Sequence, residues 1–416
     1  MGGSAFSSGN NPLSTPRMSP TVYRHVLRTC HAKLRELFVL VATPIEGPAK
    51  EDHGDIDIFV ALERSIVFPS SQVKSNIFAS PAQLLGAERS ISEQPSLVNL
   101  AIPWPDELLQ ERPGGDEPLY IQVDLHLCNS LEHIQWMLLR YSHGDLWNLL
   151  GSTIRPYGLT IDEVGLYIRI PEIEQLNKKQ SKILLSKDPI EILRFLGLEH
   201  DGTQWEEPFA TVEELMEYAA TCRLFWVRPQ RDDDAVAGDG GDFDKDNMTS
   251  NDRRRMKMRP LFQKWYDEFI PACRQAGRFT TPKSTRDSVR KDAFEWFPGT
   301  RQVYKNRIIE WRKERQKQSL WRGVIKASIP EHQEGEELDK RHLRSLAANS
   351  LKKIIMQEDY SLGIIPPCPL RDHNGFFNEE RVRQFVIKNW KEVGEATWGE
   401  SRKKSTEKLA EQTAKR

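Results

Sequence analysis

No stretch of this chain approaches the ~20 consecutive apolar residues that span a bilayer, so nothing in it reads as a transmembrane helix. The opening MGGSAFSSGNNPLSTP has neither a basic n-region nor an apolar h-region and does not read as a secretory signal. It reads instead as a disordered tail over residues 1–16. Gly2 follows Met1, but Ser7 falls one place late for a myristoylation pattern. Cysteine is scarce and scattered: Cys30, Cys128, Cys222, Cys273 and Cys368 are odd in number and contain no CxxC pair. That excludes the usual zinc spacings and a disulfide framework. The expected setting is a reducing intracellular compartment, cytoplasm or nucleus. A strong overall charge is also missing, since the formal net charge is -1.

What is present is a chain of 416 residues, long enough for two ordinary domains, with a soluble globular composition. Ser19 followed by Pro20 marks a helix start, and Val22, Val26, Leu27, Leu34 and Leu37 recur at helical spacing. Phe38 to Ala42 (FVLVA) reads as a buried strand, and residues 43–54 as a loop rich in Pro and Gly. Ile56 to Leu62 and Tyr120 to Leu127 read as strands, the second alternating cleanly. Residues 70–118 hold short elements and many prolines.

A helix is expected from about Ser130 to Tyr141, then a hairpin within Gly158 to Ile170. Two more helices start at Asp188-Pro189 and at Thr211, where Glu214 completes a capping-box pattern. The expected division is a catalytic domain over 17–170 and a helical extension over 171–228. An acidic, disordered linker follows over 229–252. Beyond it lie a basic, mainly helical region over 253–392 and a flexible tail over 393–416. The fold class is α+β, with an N-terminal mixed sheet and a mainly helical C-terminal half.

Charge is distributed unevenly. Residues 251–327 hold 21 Lys and Arg against 8 Asp and Glu, interleaved with Trp265, Trp296, Trp311 and Trp321. Basic helices with interspersed tryptophans suit phosphate contacts and base stacking, so residues 253–327 are a candidate RNA or DNA surface. A solvated helix face is the plainer reading of the run Arg253, Arg254, Arg255, Lys257 and Arg259.

The chemically informative peptide is His53-Gly54-Asp55-Ile56-Asp57-Ile58. Asp55 and Asp57 are two apart on a strand, so they leave the same face ~6.6–7 Å apart. Two carboxylates so placed repel one another unless a cation lies between them. Asp124 sits on the polar face of the later strand with Gln122 and His126. If the two strands are antiparallel neighbours, it lies ~5 Å from one of the first pair. Three such acids suit two divalent ions ~3.5–4 Å apart. Oxygen-only ligation favours Mg²⁺ or Mn²⁺. The competing reading is that acids on an exposed strand face do nothing.

Gly54-Asp55-Ile56-Asp57-Ile58 with Val123-Asp124-Leu125 resembles the polymerase-beta-like nucleotidyltransferase superfamily, and most of all a branch found in phage and fungal genomes. The likeness extends through Lys50 to Asp55 (KEDHGD), His143 to Gly151 (HGDLWNLLG), Tyr157 to Leu159 (YGL), Asp188 to Gly197 (DPIEILRFLG), Phe209 to Leu215 (FATVEEL) and Asp252 to Pro260 (DRRRMKMRP). It covers residues 20–275.

The resemblance implies an N-terminal nucleotidyltransferase domain that uses an NTP and Mg²⁺. Asp55, Asp57 and Asp124 would be catalytic residues and metal ligands, the acceptor a hydroxyl such as an RNA 3′ end. It departs from the pattern upstream of the acids. Where the superfamily has a Gly-Ser turn, this chain has Thr43-Pro-Ile-Glu-Gly-Pro48, and Pro48 offers a phosphate neither a hydroxyl nor an N–H. Thr43, Gly47, Lys50 and Gly54 are therefore the candidates for gripping the nucleotide. The alternative is a binding module that keeps the fold with a weakened catalytic site. The sequence does not specify the oligomeric state.

Lys50 is otherwise a surface lysine. His53 and His126 are otherwise hydrogen-bonded neighbours of the acids. Asp145 reads as a helix N-cap, and Trp136 and Trp147 as core. The acidic segment before the basic run is placed to act as a tethered counter-charge. Deleting residues 230–250 is expected to raise RNA or DNA affinity in a filter-binding titration; unchanged affinity refutes the counter-charge reading.

Overall fold

The computed structural model describes residues 3–67, 79–114, 117–201, 203–229, 248–280, 284–331 and 338–414. Most of the acidic linker expected over 229–252 lies outside them. The chain divides into two compact units, Met1–Thr300 and Arg301–Arg416. The basic stretch expected as one region over 253–392 is thus shared between two units, because residues 253–300 pack within the first.

The first unit is built on a five-stranded sheet. Helix α1 (Pro20–Leu37) starts as its sequence predicts: the Ser19 side chain accepts from the Val22 N–H and Pro20 fills the first turn. Strand β1 (Phe38–Ala42) pairs antiparallel with β2 (Asp55–Glu63). A hairpin of β3 (Arg89–Gln94) and β4 (Leu97–Pro103) emerges from the proline-rich stretch. Strand β5 (Tyr120–Leu127) pairs parallel with β2 and antiparallel with β4. The strand order is β1-β2-β5-β4-β3. The parallel β2–β5 pair is possible because the whole β3–β4 excursion separates the two strands in sequence, long enough to return to the same end.

Alternation decides which side of the sheet is dry. Ile56, Ile58 and Val60 of β2, Val123 and Leu125 of β5 and Val98 and Leu100 of β4 are buried against Val22, Val26 and Leu34 of α1. The acids, one residue out of phase, must then face the other side.

That other side is roofed by α2 (Leu131–Tyr141) and α3 (Leu146–Ile154). The expected hairpin appears as β6 (Leu159–Ile161) and β7 (Leu166–Arg169), closed by Asp162 N–H donating to Gly165 C=O at 3.2 Å. A third strand, β8 (Lys182–Ser186), joins it to make a separate antiparallel sheet, although this segment was expected to be helical. Ile183 and Leu185 alternate inward there, which is strand rather than helix periodicity. Asp188 and Thr211 cap α4 (Pro189–Leu196) and α5 (Val212–Ala220) as expected, although Glu214 reaches back to the Ala210 N–H rather than to that of Thr211. Trp136 and Trp147 are core residues.

Two terminal segments depart from expectation. Residues 3–16 were expected to be disordered, yet Phe6 is 1% exposed and Ser14 bridges to Leu119 beside the sheet. A single large aromatic ring, together with backbone pairing at an edge, orders a polar and glycine-rich segment. At the other end, residues 393–414, expected as a flexible tail, continue the helix Glu379–Ala414 of the second unit. Val393 is buried there with Val382, Phe385 and Val386, against Leu351, Ile354 and Ile355 of the helix Leu338–Gln357. Among the described residues no helix is long and apolar enough to cross a membrane, and all five cysteines are free.

Leu100, fully buried in β4 at the centre of the first core, gives a direct test of this packing. Leu100→Ala is expected to lower unfolding free energy by about 2–5 kcal/mol in urea titration, the range for a leucine truncated in a core that does not collapse.

Candidate active site

Strands β2 and β5 bring the three predicted acids together. In the parallel register Asp57 lies directly opposite Asp124, and Asp55 opposite Gln122. The strands are neighbours as expected, but parallel rather than antiparallel. All three carboxylates leave the same sheet face and each is partly buried.

Each acid is engaged by the chain itself. Asp57 Oδ1 lies 3.0 Å from His126 Nε2. Asp124 Oδ1 accepts from Asn99 Nδ2 at 2.6 Å and from Gln122 Nε2 at 2.8 Å. Asp55 accepts a backbone N–H from Gly3. Burial pushes the Asp55 carboxyl above its ordinary range, with the charge of Asp57 adding to the effect. Burial likewise lifts Asp124 from 3.8 to about 6, against the hydrogen bonds from Asn99 and Gln122, and the charges of Asp57 and Asp55 raise it further.

Among the described residues no three His, Cys, Asp or Glu side chains stand in the geometry of a metal site. The donor chemistry nonetheless fits a hard divalent cation: carboxylate oxygens on one face, with the ionisation of Asp55 and Asp124 opposed by burial and then by neighbouring charge. Asp55 and Asp57 are the residues placed to hold it, with Asp124 beside them.

The loop before β2 is fixed by two contacts. His53 is buried, pairs with Glu46 at 2.8 Å and stacks on Tyr23 with ring centroids 3.8 Å apart. Its backbone exchanges hydrogen bonds of 2.7 and 3.0 Å with Met18. Farther up the loop, Ile45 C=O accepts from His143 N–H at 2.7 Å, and Ile45 N–H donates to Ser142 Oγ at 3.0 Å. This clamp brings Gly47 against Gly144, whose φ is +60°; a Cβ on Gly144 would lie 3.2 Å from the Gly47 Cα. A side chain at either position would crowd the other backbone, and the positive φ at Gly144 favours glycine there.

The nucleotide-gripping candidates therefore have different fates. Gly47, Lys50 and Gly54 line one cleft of about 1190 Å³ together with Asp55 and Asp57. Lys50 is also 3.6 Å from Glu46. Thr43 is not part of that lining; its hydroxyl lies 2.8 Å from His31 Nε2. Facing outward at the end of an edge strand, it meets α1 instead.

The far wall of the cleft is basic: Arg140, Arg155, Lys182, Arg255, Arg259 and Lys264 line it. Arg255 and Arg259 come from the run singled out in the sequence, on the helix α6 (Ser250–Met258) and just after it. Several of these cations are held in place. Arg255 donates to Asn148 Oδ1 at 3.0 Å and to Asp252 Oδ1 at 2.9 Å, and Arg155 pairs with Asp252, which is 5% exposed. Arg259 pairs with Asp145. The expected N-cap role of Asp145 is not what forms. Its backbone is not extended and its side chain makes no cap bond; it turns to Arg259 and to Asn148 Nδ2 at 2.9 Å.

Sequence reading missed Asn99, Gln122, Asn148 and Asp252. Asn99 had a signal, as the polar residue between Val98 and Leu100 in an otherwise apolar strand, but that strand was hidden among prolines. Asp252 heads the DRRRMKMRP peptide, but its pairing with Arg155 was not legible, because that partner lies far away in the chain.

The raised Asp124 pKa has a consequence for stability. Between roughly pH 4 and pH 6 the folded chain keeps a proton on Asp124 that the unfolded chain has released, so this group's contribution weakens as pH rises. Asp124→Asn should therefore be more stable than the parent at pH 7, on the order of 2–3 kcal/mol, with the gap closing toward pH 4. Urea titrations across that pH series measure the difference; a gap that does not depend on pH contradicts it.

No protein-family model matches the chain, and no curated protein matches it. Solved structures do. Two of them are crystal structures of Leishmania infantum polymerase beta, a ternary P/T complex and a ternary gap complex. Each is 12% identical and overlaps 44% of this chain, against 74% and 69% of their own, with TM-scores of 0.31 and 0.30. A likeness at that level carries no inference about this chain's chemistry.

Proposed function

We propose that the chain transfers a nucleotide from an NTP to an acceptor hydroxyl at the Asp55–Asp57–Asp124 face, the acceptor oxygen bonding to the α-phosphorus as the α–β phosphoanhydride bond breaks and pyrophosphate leaves. The observation that carries this reading is the register of β2 and β5, which sets Asp57 opposite Asp124 with Asp55 two residues back on the same side. A basic wall across the same cleft complements the charge of a phosphate-bearing substrate.

In this reading Asp55 and Asp57 hold Mg²⁺ or Mn²⁺, and Asp124 stands beside them. The cation, when bound, neutralises phosphate charge and lowers the barrier to attack. The chain's own contributions are distinct. Arg255 and Arg259, fixed by Asp252 and Asp145, bind and orient phosphates. Gly47 and Gly54 line the cleft edge, and Lys50 adds a positive charge beside them. Asp124, with its pKa at about 6, is suited to take the proton from the acceptor hydroxyl near neutral pH. His126 orients Asp57 through their 3.0 Å contact. RNA or DNA is the acceptor class that suits the basic wall of the cleft.

A second reading is a binding module with the same fold. It is favoured by Gly47 being committed to Gly144 and by Pro48, which together leave no Gly-Ser-like turn for a triphosphate.

The Asp55→Asn, Asp57→Asn double variant is expected to stay folded and to lose Mg²⁺-dependent labelling of RNA by radiolabelled NTP. In parallel, NTP with Mg²⁺ should raise the melting temperature of the parent and not of the variant, since a ligand of the native state stabilises it. Equal labelling by the variant refutes the enzyme reading; no melting shift with any NTP favours the binding module.

A further inference from the structure

The first described residues, from Gly3 on, lie on the acid face. Gly3, with φ at +84°, packs so tightly on Gly54 that a Cβ on it would come within 2.2 Å of the Gly54 carbonyl oxygen. Its N–H donates to the Asp55 carboxylate. Ala5 N–H donates to Gln122 Oε1 at 2.9 Å, and Gln122 Nε2 passes the contact on to Asp124 Oδ1 at 2.8 Å. One short segment thus touches the first acid directly and the third through a single side chain.

The segment is held by anchors outside the site. Phe6 is buried at 1% exposure. Leu13 N–H closes a loop onto Phe6 C=O at 3.0 Å, and Thr15 Oγ donates to Gly3 C=O at 2.6 Å. Tyr120 N–H donates to Ser14 C=O at 2.9 Å. Residues 7–12 are exposed, so the tip at residues 3–5 is joined to the Leu13 to Met18 stretch by an open loop and by the Thr15–Gly3 bond.

A peptide N–H and a metal cation compete for the same carboxylate lone pairs. With Asp55 turned to Gly3, Asp57 to His126 and Asp124 to Asn99 and Gln122, the three acids do not converge on one point. The Gly3 backbone lies directly against that of Gly54, at the start of the strand that carries Asp55 and Asp57.

We propose that residues 3–5 are a strap that closes the acid face in cis, so that cation and nucleotide enter only as it lifts. This rests on the reading above that Asp55 and Asp57 hold a divalent cation. The strap makes the empty site self-neutralising: it supplies donors to carboxylates that otherwise repel one another, and it withdraws them in exchange for a cation. Lifting needs no change in the sheet, but release of the tip from Gly54, Asp55, Gln122 and the Thr15 hydroxyl, with Phe6 as the hinge-side anchor.

Gly3→Val addresses the tip alone, because the added side chain is incompatible both with the Gly54 contact and with the positive φ. The full-length parent and Gly3→Val are each titrated with Mn²⁺ alone, by electron paramagnetic resonance of the free ion, with and without Asp55→Asn. Hydrogen exchange of residues 3–6 is followed in the parent across the same titration. The expected result is roughly ten- to a hundredfold tighter Mn²⁺ binding by Gly3→Val, the loss of one hydrogen bond to a charged group. Asp55→Asn removes that binding, and Mn²⁺ accelerates exchange at residues 3–6 in the parent. Equal Mn²⁺ affinity in the two chains, still abolished by Asp55→Asn, overturns the strap and leaves the site reading standing. Weaker binding by Gly3→Val makes the segment part of the site and also overturns the strap. Absence of Mn²⁺ binding in both chains overturns both proposals. If Gly3→Val does not fold, the exchange experiment on the parent decides alone, and exchange at residues 3–6 unchanged by saturating Mn²⁺ overturns the strap.

Discussion

Like charges held on one sheet face are the constraint around which the first unit is organised. Asp55, Asp57 and Asp124 cannot turn away from one another, because the residues between them, Ile56 and Val123, are fully buried on the opposite face. The same alternation that buys the core therefore forces the carboxylates together. Their repulsion is relieved by donors drawn from four directions: Gly3 from the N-terminal segment, His126 from the same strand as Asp124, Asn99 from the neighbouring strand, and Gln122 from beside it. None of these donors carries a fixed positive charge, and burial, with a smaller addition from the neighbouring carboxylates, keeps Asp124 hard to ionise.

The cleft brings Asp55 and Asp57 together with a set of lining cations, and the two do not collapse onto each other. Arg155 and Arg255 are committed to Asp252, Arg259 to Asp145 and Lys264 to Glu213. Counter-ions of their own keep the wall cations spread along the cleft and reduce the side-chain ordering a bound phosphate would require. Asp252 is the centre of this arrangement; nearly buried, it also accepts from Thr249 at 2.7 Å, which begins the helix carrying Arg255. The basic run is thus read by its acids as much as by its arginines.

Glycine is used where backbones must touch. Gly47 against Gly144 fixes the loop before β2 to the turn between α2 and α3, and Gly3 against Gly54 fixes the N-terminal segment to the start of β2. Both contacts border the acids, so the shape of the cleft entrance is set by backbone rather than by side chains. His143, with φ at +60°, pays for its strained turn by burying its ring against Trp205 and Phe209 and bonding Trp205 C=O at 2.9 Å.

The sequence by itself determined the periodic and local features. Alternation in 56–62 and 120–127 defined the strands and assigned the acids to the polar face. Side-chain caps at Ser19, Ser130, Asp188 and Thr211 defined where helices begin. Such features are legible because neighbours in the chain create them. Tertiary structure alone decided that β2 and β5 run parallel and in the register that opposes Asp57 to Asp124, since pairing depends on what the intervening hairpin permits. It also decided that Thr43 meets His31 rather than the cleft, that Asp145 serves Arg259 rather than a helix end, and that a glycine-rich opening becomes ordered through one buried phenylalanine. Each of these rests on a partner distant in sequence, and no local pattern records such a partner.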